Sequence, residues 1–193
     1  MTAKFQNKYR IPSARWKDWD YASQGIYFVT ICTNNREHYF GEITVKTHES
    51  GVSTTNNKNN SESDVSMKLS EIGELTHKFW KEIPKHFPFV QLHEFVIMPN
   101  HIHGMIEIKT ELTSKLDVNT DKDWKPGTLG VMINQFKRIC TINARKINPK
   151  FKWQTRFHDR VVRDFDEYHR IEQYIQNNPK NWENDNMNVE TPY

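Results

Sequence analysis

Apolar side chains along this chain recur with two different periods. Tyr27-Phe28-Val29-Thr30-Ile31-Cys32-Thr33, introduced by Gly25-Ile26, is a β-branched and aromatic run that predicts a strand. From Leu69 the spacing changes: Ile72, Leu75, Phe79 and Ile83 follow the helical period, and Pro84 and Pro88 should end that helix. Gln91–Met98 and His101–Lys109 read as two strands joined by Pro99-Asn100, a connection short enough to demand an antiparallel hairpin. Leu129, Met132, Ile133, Phe136, Cys140 and Ile147 mark a second amphipathic helix, and Phe157–Arg163 a fourth strand. Asp164 with Glu167 forms a capping-box pattern that opens a third helix, closed by Pro179.

The order is strand, helix, strand, strand, helix, strand, helix. It predicts an α+β fold of the ferredoxin-like or RRM-like kind: a four-stranded antiparallel sheet with two helices on one face. The last helix then has no packing surface except the other face. Two stretches break the pattern. Residues 47–66 (THESGVSTTNNKNNSESDVS) are nearly free of large apolar groups and read as a polar insertion within the domain, and a second polar stretch precedes Gly127. The expected organisation is a basic arm over 1–24, one domain over 25–182, and an acidic tail over 183–193.

With 193 residues, 36% apolar and 12% aromatic, the chain can bury one small core but is neither disordered throughout nor membrane-spanning. No apolar leader opens it, so a cytoplasmic location with no membrane partner is expected. Cys32 and Cys140 are too few for a disulfide framework and read as buried thiols. The formal charge of +3 hides an uneven distribution. Lys4, Lys8, Arg10, Arg15 and Lys17 carry +5 in the first 17 residues with no acid, and the segment from Lys125 to Arg170 carries +7. Such clustering suits a polyanion such as nucleic acid, or simply a solvated basic surface.

Candidate chemistry begins with His101-Ile102-His103. Residues two apart on a strand share a face, so both imidazoles project together while Ile102 faces away, a two-toothed grip for a metal ion. Nine histidines in such a chain give roughly 0.4 His-x-His pairs by chance, so the triplet alone is weak evidence. Tyr174 and Asn178, four apart on the last helix, stack on one face with Ile171 and Ile175 alongside. Each alone could be a packed aromatic or a helix cap. If the histidines point toward that helix, however, a phenol, a carboxamide and two imidazoles meet. Tyr168 lies about 240° around the helix from Tyr174 and is the weaker nucleophile candidate.

The string Val96-Ile97-Met98-Pro99-Asn100-His101-Ile102-His103-Gly104 resembles the HUH motif of single-tyrosine transposases, and especially of the REP-associated tyrosine transposase branch. Phe157-His158-Asp159-Arg160-Val161-Val162-Arg163-Asp164 and Tyr174-Ile175-Gln176-Asn177-Asn178-Pro179 resemble that branch's strand and Tyr-x-x-x-Asn helix. The resemblance runs from about Tyr9 to Trp182 with the motifs in family order, and the insertion at 47–66 departs from it. It implies a metal-dependent enzyme that nicks and joins single-stranded or hairpin DNA through a 5′-phosphotyrosine intermediate. Tyr174 would be the nucleophile, and His101, His103 and Asn178 would hold Mg²⁺ or Mn²⁺. Lys8, Arg10, Arg15, Lys137, Arg138 and Arg145 are candidate phosphate contacts, and Trp16 and Trp19 could stack on bases. Two alternatives stay open: a DNA-hairpin-binding module that no longer cleaves, and a metal-dependent hydrolase that activates water. The motif fits a monomer or a homodimer.

Overall fold

A computed structural model describes residues 24–46, 64–109 and 128–188, together with the backbone of two short paired strands, β1 (Lys4–Phe5) and β2 (Lys8–Tyr9). The other elements are β3 (Gly25–Cys32), β4 (Gly41–Lys46), β5 (Asp64–Leu69), α1 (Glu71–His86), β6 (Val90–Met98), β7 (His101–Ile108), α2 (Leu129–Ile147), β8 (His158–Val162) and α3 (Phe165–Asn177). Strands β6, β7, β3 and β8 form, in that order, an antiparallel sheet. This is the expected α+β arrangement.

The two faces of the sheet follow from the two-residue period. Tyr27, Val29 and Ile31 of β3 and Ile102, Ile106 and Ile108 of β7 are buried in one core with α1 and α2. On α1 the core side is Ile72, Thr76, Trp80 and Ile83; on α2 it is Leu129, Met132, Ile133, Phe136, Cys140 and Ala144. Each of the three α-helices among the described residues starts on a side-chain cap. Ser70 accepts from the Gly73 N–H, Thr128 from Val131, and Asp164 from Glu167. Among the described residues, no helix is long and apolar enough to cross a membrane.

Gly104 fixes how tightly α1 meets the sheet. A methyl group there would lie 2.5 Å from the Trp80 indole and 3.1 Å from Phe95 Cβ. The buried indole therefore rests directly on the β7 backbone, one residue beyond His103.

The structure departs from the sequence reading in two places. Helix α1 passes through Pro84 and ends at His86. In the last turn a proline forfeits one backbone hydrogen bond, and the Phe87 N–H still closes the helix on the Ile83 carbonyl at 3.0 Å. In addition, β4 and β5 pair into a two-stranded ribbon that takes in the end of the predicted polar insertion and the predicted helix start at Leu69. Phe40 anchors its base: the side chain is buried against Phe151 and Trp153, and its N–H donates to the Pro99 carbonyl at 3.0 Å.

Gly104→Ala should lower stability by about 1–3 kcal/mol through overpacking against Trp80. Urea unfolding would show a lower midpoint at unchanged slope; a midpoint equal to wild type would contradict the contact.

Candidate metal centre and nucleophile

The face of the sheet turned away from the core carries the candidate site. Cys32 lies opposite His101 and Thr30 opposite His103, so these four side chains share a face, while Ile102 points into the core. Both imidazoles are buried, with ring centroids 4.5 Å apart. Helix α3 lies over this face against β6. It delivers Tyr174 to His103, with the phenolic oxygen 3.2 Å from Nε2. The rings of Tyr174 and His103 both lean on Phe28. Asn178, at the C-cap of α3, is buried beside them.

The hydrogen bonds fix the tautomer of His101. The Asn100 amide nitrogen donates to the Met187 carbonyl at 2.8 Å, which orients the amide. Its oxygen must then accept from His101 Nδ1, also at 2.8 Å. His101 therefore carries its proton on Nδ1 and presents a bare lone pair at Nε2. In His103, Nδ1 lies 2.8 Å from Thr30 Oγ1. With the phenol donating to Nε2, Nδ1 holds the ring proton and donates to that hydroxyl. The His101 tautomer is the one a cation would require, held by Asn100 on the far nitrogen, and Thr30 stands behind His103 in the same way.

Asp185 was not anticipated from sequence. It follows a 3₁₀ turn at Trp182–Asn184, and one of its oxygens and the two imidazoles offer ligand atoms all within 4.8 Å of one another. Oδ1 accepts from the Met187 N–H at 2.8 Å, which leaves Oδ2. His101 Nε2, Asn178 Oδ1 and Asp185 Oδ2 are all buried acceptors with no hydrogen-bond partner among the described residues. Leaving one such group unpaired costs about 1–3 kcal/mol. Such unpaired acceptors fit a bound cation, and His101, His103 and Asp185 are grouped closely enough that they could hold a metal ion. Trp182 sets the turn by packing on His38 and on the His101 ring. A tryptophan shortly before an aspartate was the one sequence signal available, and it is faint.

Electrostatics agree with this reading. Burial first, then electrostatic interaction with the neighbouring His103, Arg36 and His38, holds His101 well below the usual imidazole range. His103 is lowered to about 3, again by burial first and Arg36 second. Both rings are thus neutral ligands near neutral pH. The Tyr174 phenol is raised by burial and by the Asp185 carboxylate, while a hydrogen bond with the Asn178 side chain works the other way. Arg36 also sits in a tight turn, at φ 55°, and its buried Nη1 has no hydrogen-bond partner among the described residues.

Of the residues named from sequence, His101, His103, Tyr174 and Asn178 come together. Arg138 and Arg145 are exposed on α2, on the helical side of the sheet and away from the histidines. Lys137 departs from the expectation of a phosphate contact. It is buried, and its ammonium donates to the backbone carbonyls of Gln154 and Thr155. Arg10, Arg15, Trp16, Trp19 and the side chain of Lys8 lie outside the described residues.

The sheet, its two covering helices and the tyrosine helix define a REP-associated tyrosine transposase-like fold. A solved REP-associated tyrosine transposase bound to a REP hairpin matches with a TM-score of 0.54 at 15% identity, over 86% of this chain and 73% of that one. A Deinococcus radiodurans protein proposed to be a transposase matches at a TM-score of 0.45 and 10% identity, over 84% of this chain and 95% of that one, too slight a likeness to build on. No family model matches. The chain belongs to the same family as an uncharacterised protein of Haemophilus influenzae, to which it is 34% identical over 186 residues, 92% of this chain and 93% of that protein.

Because His103 stays neutral when folded down to about pH 3 but protonates near 6.5 when unfolded, the unfolded chain binds more protons between those values. Stability of the metal-free protein should therefore rise with pH across this window. Urea unfolding followed from about pH 6.5 down to about pH 5, above most carboxylate titration, should show a loss that is smaller in His103→Gln. Equal slopes in both proteins would contradict a buried neutral His103.

Proposed function

We propose that this protein is a transposase-type enzyme that nicks and rejoins single-stranded or hairpin DNA through Tyr174. The observation that carries the reading is the placement of the Tyr174 hydroxyl on His103, at 3.2 Å, beside three unpaired buried acceptors. In this reading the Tyr174 oxygen attacks the phosphorus of a phosphodiester. The new O–P bond makes a 5′-phosphotyrosine, the bond to the 3′ oxygen breaks, and the departing strand takes up a proton as its 3′-hydroxyl. Attack by that hydroxyl, or another, reverses the step and releases Tyr174. No water or nucleotide triphosphate is consumed.

His101, His103, Asn178 and Asp185 would hold Mg²⁺ or Mn²⁺, which polarises a phosphate oxygen when bound. Carboxylate and amide oxygens suit both ions, and imidazole nitrogen tilts the set toward Mn²⁺. The raised phenol keeps Tyr174 protonated while no substrate is present, with Asn178 hydrogen-bonded to it and able to steady the phenolate. Arg36, whose charge acts on both imidazoles, is placed to meet phosphate with its unpaired Nη1. Arg138 and Arg145, with Lys8, Arg10 and Arg15 of the N-terminal arm, would contact flanking phosphates. Half-exposed Tyr174 is reachable by a flexible strand, whereas a regular duplex holds its phosphodiesters in fixed helical geometry. The solved structural neighbour is bound to a REP hairpin, which favours a hairpin as the first substrate to try.

Incubation with a labelled hairpin oligonucleotide and Mn²⁺ should give a protein–DNA adduct that survives denaturation. Tyr174→Phe should abolish it, and His101→Ala should do the same with hairpin affinity nearly unchanged, since phosphate contacts elsewhere supply most of the binding. Hairpin binding with no adduct would instead identify a binding module, and cleavage surviving in Tyr174→Phe a hydrolase.

Without DNA, Mn²⁺ at a hundredfold excess over its dissociation constant should stabilise the protein by about 2.7 kcal/mol. His101→Ala should remove the stabilisation and Asp185→Ala weaken it. An unchanged response in both variants would place the ion elsewhere.

A further inference from the structure

Helix α3 bears the nucleophile yet buries little. Among its thirteen residues only Glu167 and Ile175 are buried, and Phe165 is 74% exposed. Apolar packing alone therefore holds its position weakly, and the polar contacts between helix and sheet decide where Tyr174 sits. At the N-terminus, the Glu167 side chain accepts from the Arg163 N–H at 2.9 Å and forms an ion pair with Arg160 of β8. At the other end Tyr174 meets His103.

Between these ends runs a chain of side chains that the nicking chemistry does not use. Glu107 lies on the same face of β7 as His101 and His103, and one carboxylate oxygen is 3.0 Å from His93 Nε2. The Tyr168 hydroxyl is 3.1 Å from His93 Nδ1. A carboxylate accepts, so His93 Nε2–H donates to Glu107; in the neutral ring Nδ1 is then the bare nitrogen and accepts the Tyr168 proton. His93 and Glu94 together sit opposite Met105 alone, a bulge in β6 between Leu92 and Phe95 that places His93 within reach of the helix. The Tyr168 ring also meets the imidazole edge-on, with centroids 5.5 Å apart. Burial and the negative charges of Glu172, Glu94 and Glu107 raise the Tyr168 phenol, which keeps it a donor.

We propose that Tyr168, His93 and Glu107 form a positioning relay that clamps the tyrosine helix to its own sheet and thereby sets Tyr174 on His103 of the same chain. Tyr168 is thus an anchor and not a second nucleophile. It stands six residues, about 9 Å of helix, before Tyr174, so a helix released here can tilt or rotate at the reacting end. The assignment of Tyr174 as nucleophile rests on the function proposed above, but the clamp itself can be tested without catalysis.

The test compares full-length wild type with Tyr168→Phe, Glu107→Ala and Glu107→Gln. Amide hydrogen exchange of residues 168–177 in the metal-free, DNA-free protein reports the clamp. Single-turnover adduct formation on a labelled hairpin with Mn²⁺ reports its consequence. In Tyr168→Phe and Glu107→Ala, exchange in α3 should quicken by about five- to tenfold, as for one lost hydrogen bond, with β3 and β7 unchanged. Adduct formation should slow to a similar degree at unchanged hairpin affinity. Glu107→Gln, whose carbonyl oxygen still accepts from His93, should recover most of both losses, which a general loss of packing or charge would not allow. Unaltered α3 exchange in Tyr168→Phe and Glu107→Ala, or Gln behaving like Ala, would overturn the relay. A wild-type protein that forms no adduct would instead overturn the nicking reading, and the exchange comparison would still decide the relay.

Discussion

The constraint on which this molecule turns is the burial of two neutral imidazoles side by side, each with its Nδ1 hydrogen-bonded to a neighbour. The Nε2 lone pair of His101 has no hydrogen-bond partner among the described residues, while the Tyr174 hydroxyl lies on Nε2 of His103. The deficit is enlarged by a carboxamide oxygen and a carboxylate oxygen that also lack partners among the described residues. The protein builds this acceptor-rich pocket deliberately, in the sense that separate elements supply each part. β7 supplies the rings, β3 and the hairpin turn supply Thr30 and Asn100 behind them, α3 supplies Tyr174 and Asn178, and the turn after α3 supplies Asp185.

Rigidity on one side of the sheet makes precision on the other side achievable. The core face is closed by aromatic and branched side chains from α1 and α2, with Trp80 seated on Gly104 beside His103. A strand locked in this way can hold His101 and His103 within the small tolerance a reactive site demands. Among the described residues, the opposite face is covered by the thinly packed α3 and the turn after it, held by a few polar contacts. Stability is therefore concentrated away from the chemistry, and the less deeply packed element is the one that carries the nucleophile. The C-terminal turn adds a second link: Asn100 joins His101 to Met187, so the segment bearing Asp185 and the first imidazole share one amide.

Much of this was legible in the sequence because it depends on short periods. Alternation placed His101 and His103 on one face and Ile102 in the core, and four-residue spacing placed Tyr174 with Asn178. The cap at Asp164 announced the tyrosine helix. Features that depend on distant contacts were not legible. The β4–β5 ribbon alternates Ile43 and Val45 with polar residues, but residues 47–63 separate its strands and conceal the pairing. Asp185 looked like one acid among several near the chain end; its role comes from Trp182 packing on His101 and from the Asn100–Met187 hydrogen bond. Lys137 belongs to a basic helix, yet it faces inward because loop carbonyls at Gln154 and Thr155 need a donor. Charge counts reveal how many cations a helix has, not which of them meet solvent.

The central claim is that one cation occupies the space bounded by His101, His103, Asn178 and Asp185, next to Tyr174. Anomalous diffraction from crystals grown with Mn²⁺ tests it most directly. The account predicts one strong peak in contact with Nε2 of both histidines, with the Tyr174 ring still beside it. A peak elsewhere, or none at saturating Mn²⁺ with the imidazoles unchanged, would contradict it.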